Sequence, residues 1–244
     1  MMSLKHFPVT MPMRFWSCEF AHDFNASILC LLPKKASGHD EAMGDYFLPG
    51  DTRPLNISNV DNRLLASAAR LAWEPILEQW VSQMQRGFLK GRSMIHNIID
   101  VDWHAMTISL RHEGGALVLF DFRAAFPSVS HEFLIKCPEC LGLPASAMNF
   151  IKIMYDNNRC HVRLQGQDFP GFTMNGGVQQ GCPLSPLLFA VCVDILLRMI
   201  EQQIEGCTVR AFADDIAAII SDLKGRVVHL RPYSETSRRS HILH

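Results

Sequence analysis

Residues 209–220 read VRAFADDIAAII, two apolar runs interrupted by a pair of aspartates. Apolar strands rarely carry carboxylates unless these face water or a cation, because an unpaired buried charge is expensive. The stretch predicts a strand, a two-residue turn at Asp214 and Asp215, and a second strand. Upstream, residues 116–120 (ALVLF) follow Gly114 and Gly115 and end on Asp121. That uniformly apolar run predicts a strand buried on both faces, with a further carboxylate at its C-terminal end. Hard oxygen ligands on adjacent strand ends can hold two divalent cations about 4 Å apart, an arrangement that activates an attacking hydroxyl and stabilises a leaving pyrophosphate. The competing reading makes each acid the mark of a solvent-exposed turn, since paired Asp residues are common in hairpins.

The segments on either side are consistent with a mixed fold. Ser185 and Pro186 predict the N-cap and first turn of a long helix closing at Gly206, with Asp194, Arg198, Glu201 and Glu205 as one polar stripe on a buried rod. Leu64, Leu65, Ala68, Leu71 and Ala72 recur at helical spacing within residues 61–80, and Pro75 is expected to kink or divide that helix. Residues 27–32 (SILCLL), stopped by Pro33, predict a strand, followed by a polar loop to about Pro54. The sequence carries no internal repeat and no low-complexity tract.

Composition excludes several classes. With 48% hydrophobic and 19% charged residues, the 244-residue chain has the makeup of an ordinary globular protein. The longest apolar candidate, residues 187–200, is broken by Asp194 and Arg198, so a membrane span is not expected. Neither a signal nor a transit peptide is legible at the N-terminus, and cytoplasm or nucleus is the expected location. Eight cysteines are scattered through apolar runs, which suits buried thiols in a reducing compartment; Cys137 and Cys140 have CxxC spacing but no second pair at zinc-finger distance. A net charge of −1 is a poor guide to polyanion binding, because charge acts locally. Residues 79–99 contain no acid, while Arg86, Lys90 and Arg92 cluster around two glycines; this reads as a phosphate-contacting basic face or as a solvated loop.

Six stretches taken in order carry a resemblance: LLPKK (31–35), TRPLNISNVDNRLLA (52–66), QRGFLKGRS (85–93), LVLFDFRAAFPSVSH (117–131), GVQQGCPLSPLLF (177–189) and FADD (212–215). FADD is weak alone and GVQQGCPLSPLLF is strong. Together the sequence resembles the reverse transcriptases of non-LTR (LINE-type) retrotransposons from about residue 26 to residue 222. The resemblance implies an α+β fold of the right-hand polymerase type, with a fingers region and an antiparallel palm sheet packed by helices. It implies transfer of deoxynucleotides from dNTPs onto a DNA primer 3'-hydroxyl along an RNA template, with two Mg²⁺ ions, or Mn²⁺, as cofactor.

Carried over residue by residue, the resemblance makes Asp121 and Asp214 the metal-binding aspartates with Asp215 supporting. Adjacent residues in extended chain point oppositely, so the pair is expected to have unequal roles. Phe126 matches the aromatic that blocks a ribose 2'-hydroxyl; a plain core phenylalanine is the alternative. The amides of Ala124 and Ala125 would form a small anion nest for the triphosphate. Gln180 and Gly181 match the nucleotide-contacting pair, although a turn that launches the next helix would look the same. Arg53, with Lys35, Lys90 and Arg92, matches basic positions of the fingers.

The resemblance divides the chain into a segment 1–25, a fingers-palm domain 26–222 and a basic tail 223–244. That tail has five Lys or Arg against one acid and no apolar periodicity, and the lysine-bearing motif and thumb of relatives are not legible in it. The sequence therefore predicts a chain that folds through about Ile220 but extends a primer poorly. The rival expectation is an inactive remnant that at most binds Mg²⁺, nucleotide or nucleic acid.

Overall fold

A computed structural model describes residues 23–111, 114–122, 124–164 and 166–222. Residues 1–22 and 223–244, and with them most of the predicted N-terminal segment and the predicted tail, lie outside the described residues.

The first sheet has the order β4-β1-β6-β7. Its strand β1 (Ser27–Pro33) pairs antiparallel with β4 (Thr52–Ser58), and in parallel with β6 (Arg159–Leu164), which forms a hairpin with β7 (Gln167–Thr173). The stretch expected as a polar loop to Pro54 holds a small hairpin, β2 (Gly38–Asp40) and β3 (Gly44–Tyr46), and the start of β4. Isolated polar residues hid these strands, which are fixed by main-chain pairing and not by an apolar alternation.

Helix α1 (Val60–Trp80) begins at Asn59, whose side chain accepts from the Asp61 amide. It buries Asn62, Ala66, Ala69, Trp73 and Leu77, a stripe displaced from the expected one, whose Leu64 and Leu71 are exposed. Pro75 does not divide it: the residue sits on the exposed side, where the missing amide hydrogen bond falls toward solvent. Helix α2 (Met94–Leu110) buries Asn97 alone and leaves Ile98, Ile99 and Trp103 exposed. After β5 (Ala116–Phe120) come a single turn α3 (Ala125–Ser128), then α4 (His131–Cys140) and α5 (Ala145–Tyr155).

The central helix α6 (Ser185–Gln203) buries Leu187, Leu188, Phe189 and Val191 among these helices, and Leu197 against strand residues 207–220. Its N-cap is Leu184, not Ser185; Ser185 is the first helical residue and is fully buried, its hydroxyl paired with Tyr155 at 3.0 Å. Asp194 is not part of an exposed stripe either. It is 0% exposed, ion-paired with Arg198 at 2.7 Å, and accepts from the amide and hydroxyl of Ser82. A buried carboxylate is tolerable when its lone pairs are filled in this way. Of the CxxC pair, Cys137 is buried with its thiol against Cys192 and Cys140 is exposed.

The second sheet is antiparallel, order β5-β9-β8, with β8 (Cys207–Phe212) and β9 (Asp215–Ile220) joined by a hairpin. Val209, Ala211, Ile216, Ala218 and Ile220 alternate onto the face covered by α6, the period of 2 that a half-buried strand requires. One expectation is corrected. Strand β5 is an edge strand with Leu117, Leu119 and Phe120 at least 41% exposed, not a strand buried on both faces. In the hairpin β9 is the central strand and β8 an outer one. Residues 84–86 extend the sheet beyond β8, through Ala211 N–H donating to the Met84 carbonyl at 2.7 Å and Arg86 N–H donating to the Ala211 carbonyl at 2.8 Å.

Candidate active site

The register of the second sheet decides where the three carboxylates fall. Phe120 pairs with Ile216 and Phe212 with Asp215, so the turn residues are Ala213 and Asp214, one position earlier than expected. Asp121 directly follows Phe120, and Asp215 directly precedes Ile216; the antiparallel ladder thus brings the two chain positions opposite each other. Both line one apolar-walled groove of about 580 Å³ between α2 and the sheet face opposite α6, with Asn97, Asp102, Arg210 and Phe212. Asp214 lines a second cavity of about 460 Å³ on the α6 side, with Ser128, Phe133 and Cys192. Asp121 and Asp215 are exposed and Asp214 is half-buried.

The adjacent aspartates therefore line different grooves, Asp214 from the turn and Asp215 from the first position of β9. The groove with Asp121 holds Asp215, however, while Asp214 was expected to be the stronger partner. The three side chains are not gathered at one point: among the described residues no group of three or more His, Cys, Asp or Glu could hold a metal ion. Their chemistry, solvent-open carboxylate oxygens on adjacent strand ends, is nonetheless a donor set suited to a hard divalent cation.

Phe126 begins the turn after Asp121. Its ring stacks on Phe189 with centroids 4.4 Å apart, and Phe88 meets it edge-on at 5.8 Å. It is half-buried and packs against the main core, while its carbonyl accepts from the Val178 amide at 2.8 Å. Ala124 is exposed and left-handed, with φ 56° and ψ 54°, and Ala125 opens α3. That left-handed residue ahead of a helical one turns successive amides in one direction, the backbone shape of an anion nest.

The loop around Gln180 is held by main chain. The Asn56 amide donates to the Gln180 carbonyl at 2.9 Å, and a Cβ at Gly181 would lie 2.4 Å from the Asn56 carbonyl oxygen. Gly181 also has φ +114°, so the position requires glycine twice over. The loop is thereby seated on β4, the strand that carries exposed Arg53. Gln179 points inward and is buried; Gln180 is the more open of the two. Lys35 is exposed beside Asp51 at 3.6 Å. Ser37, with Lys35 assisting, holds the Asp51 carboxyl below its ordinary value.

Of the three basic residues expected on one face, only Lys90 is exposed. The guanidinium of Arg92 donates to the carbonyls of Glu78, Val81, Ser82 and Gln85. Arg86 pairs with Asp100 at 2.7 Å, and Arg210 reaches the same carboxylate at 2.7 Å. The acid-free run of residues 79–99 stops one position short of Asp100, which is why sequence showed a basic cluster where the structure has an internal charge triad. Arg210 first, then Arg86, holds the Asp100 carboxyl below the usual range.

In the sequence Gln85 and Gly87 stand out only as neighbours of basic residues. Gln85 is fully buried against Ala213, and Gly87 touches the same residue. The one available signal was an uncharged polar side chain beside a glycine in a strongly patterned motif.

An antiparallel sheet with acidic strand ends, α6 on one face and α2 on the other, accompanied by a second sheet, is a mixed α+β fold of the kind solved for reverse transcriptases. The chain belongs to the reverse transcriptase (RNA-dependent DNA polymerase) family, whose profile matches residues 32–242 and so runs past Asp222 into the stretch set apart above as a tail. It is similar to the uncharacterized 149 kDa protein of transposon TX1 from Xenopus laevis, 25% identical over 208 residues that cover 81% of this chain and 15% of that protein. It is also similar to the Pol polyprotein of the type-2 retrotransposable element R2DM from Drosophila melanogaster, 25% identical over 228 residues, 88% of this chain and 20% of that one. These relatives are non-LTR retrotransposon proteins. Among solved structures, telomerase from Candida tropicalis in complex with a telomeric RNA fragment superposes with TM-score 0.61 at 10% identity, covering 86% of this chain and 38% of that one. The Candida albicans complex gives 0.56 at 11% identity over 90% of this chain and 41% of that one. The chain thus spans a quarter or less of the curated relatives' length. Among the described residues no helix is long and apolar enough to cross a membrane.

Proposed function

We propose that the chain carries the nucleotidyl-transfer centre of a retrotransposon RNA-directed DNA polymerase. The observation that carries this reading is the register that sets Asp121 opposite Asp215 at the open end of the sheet, with Asp214 in the turn between β8 and β9. Asp121, Asp214 and Asp215 would hold the divalent cations, Mg²⁺ or Mn²⁺. When bound, such ions lower the barrier by favouring the deprotonated primer hydroxyl and by screening charge on the leaving pyrophosphate. The chain's own residues bind and orient. Arg53 on β4 would pair with the triphosphate of an incoming dNTP, and the amides of Ala124 and Ala125 would receive its oxygens. Phe126, held by two neighbouring rings, would present a rigid surface beside the sugar and exclude a 2'-hydroxyl sterically. Gln180 and Gly181 would contact the nucleotide from the loop seated on β4, and exposed Lys90 would contact the template-primer backbone, making that binding salt-sensitive. Arg86 and Arg92 are left out of this surface, because internal partners already take their guanidinium groups.

Primer extension tests the reading directly, on an RNA template with a DNA primer, dNTPs and Mg²⁺. Loss of extension in Asp121→Asn and Asp215→Asn, with the fold retained, supports it. Extension unchanged by either substitution removes these residues from the chemistry. A second reading, binding of Mg²⁺, nucleotide or nucleic acid without extension, is favoured by the separation of Asp214 from the groove that Asp121 and Asp215 share. Filter binding of primer-template together with absent extension would single it out.

A further inference from the structure

Gln85 is 0% exposed, and its side-chain amide is fully engaged with one residue of the β8–β9 turn. Its Nε2 donates to the Ala213 carbonyl at 3.0 Å, and its Oε1 accepts from the Ala213 amide at 3.0 Å and from the Gly87 amide at 2.7 Å. One side chain thus imitates a neighbouring strand for Ala213, the residue immediately before Asp214.

The turn needs such a partner. Ala213 has φ +59°, a left-handed conformation that two-residue hairpin turns ordinarily assign to Gly, Asn or Asp. Ala213 is also buried, so its amide and carbonyl would go unpaired without Gln85, and unpaired buried polar groups drive local rearrangement. The support is itself rigid. Residues 84–86 pair with Ala211 through two main-chain hydrogen bonds, Arg92 holds the carbonyls of Ser82 and Gln85, and a Cβ at Gly87 would lie 2.0 Å from the Ala213 nitrogen. The turn therefore lies directly against this segment, within reach of the Gln85 amide.

We infer that Gln85 is a positioning residue for Asp214. It locks the Ala213–Asp214 turn and so fixes where the Asp214 carboxylate stands at the end of the β8–β9 hairpin, and through that lock it sets how tightly Asp214 can contribute to holding a divalent cation. The inference rests on the cation-binding role proposed above for these aspartates. Its size follows from population arithmetic: if an unclamped turn spends about a tenth of its time in the competent conformation, apparent cation affinity falls about tenfold.

The test uses the whole 244-residue chain and needs no turnover. Mn²⁺ binding is measured by the paramagnetic resonance of free Mn²⁺, and amide exchange at Ala213 and Gly87 by NMR, for the native chain, Gln85→Met, Gln85→Glu and the control Asp214→Asn. Gln85→Met keeps the shape and removes every hydrogen bond; Gln85→Glu keeps the acceptor and removes the donor. The expected result is faster exchange at Ala213 and Mn²⁺ binding about tenfold weaker in Gln85→Met, an intermediate loss in Gln85→Glu, and unchanged exchange protection in α5 and α6. Should Gln85→Met fail to fold, Gln85→Glu decides alone by the same two measurements. Mn²⁺ affinity unmoved in the folded Gln85 variants, while Asp214→Asn weakens it, overturns the inference and leaves the proposed site standing. A native chain that binds no more Mn²⁺ than Asp214→Asn overturns the cation role of Asp214, and this inference with it.

Discussion

Replacing Arg92 should weaken the fold and leave nucleic-acid binding nearly untouched, the reverse of what its place in a basic motif suggests. The guanidinium fills carbonyls of Glu78, Val81, Ser82 and Gln85, the last turn of α1 and the segment that follows it. Helix C-termini leave several carbonyls without intrahelical partners, and a cationic side chain there supplies both donors and favourable charge. A hydrogen bond from a charged donor contributes about 1.5–3 kcal/mol. Four such bonds from one group are not additive, and water reaches part of the site once the side chain is shortened. For Arg92→Ala we expect a loss of about 3 kcal/mol, half of it recovered in Arg92→Lys, which keeps the charge but not the planar fork. In a domain of this size that corresponds to a fall in Tm of roughly 6–12 °C. The assay is urea unfolding followed by circular dichroism, run beside titration of a fluorescent RNA–DNA primer-template at several salt concentrations. Lys90→Ala serves as the opposite case: unchanged Cm and a salt slope shallower by about one unit. An Arg92→Ala chain with native Cm and a reduced salt slope would show that the guanidinium binds phosphate and that its carbonyl contacts are incidental.

Acid should loosen the triad of Asp100, Arg86 and Arg210. The folded-state pKa of Asp100 lies below its ordinary 3.8, so its stabilising contribution is complete above that value and is lost as pH falls through the lower, folded value. Asp100→Asn should remove that component of the acid-unfolding curve measured by fluorescence below about pH 4; an identical curve refutes the linkage. Shrinking Phe126 to Ala should raise incorporation of ribonucleotides relative to deoxynucleotides in primer extension, whereas an unmoved ratio assigns the ring to core packing with Phe88 and Phe189. Gly181→Ala should unseat the loop from β4, costing about 1–3 kcal/mol from the left-handed backbone alone and weakening dNTP binding; native stability would contradict the close approach to Asn56.

Much of this molecule was legible along the chain. The apolar runs flanking Asp214 and Asp215, the run ending on Asp121 and the long apolar α6 each follow from local pattern, and the ordered motifs identified the family; the buried stripe of α1 did not, since Leu64 and Leu71, expected inside it, are exposed. Burial was not legible. ALVLF looks the same in a central strand and at the edge of a sheet, because the residues record apolarity but not how many neighbours the sheet supplies. Asp194 and Arg198 at helical spacing were read as part of a polar stripe on α6, and only the packing of α6 against residues 80–82 shows that the carboxylate is sealed and hydrogen-bonded. Arg86, Lys90 and Arg92 share a charge and a motif, yet two of them are consumed by partners 7 to 14 residues away in sequence and the third is free. The sites of Asp121, Asp214 and Asp215 at strand ends were set by sequence. Which face each carboxylate takes was decided by the antiparallel register and by Gln85 on Ala213, contacts between residues 96 and 128 positions apart, because a side chain's direction depends on pairings that no local pattern encodes.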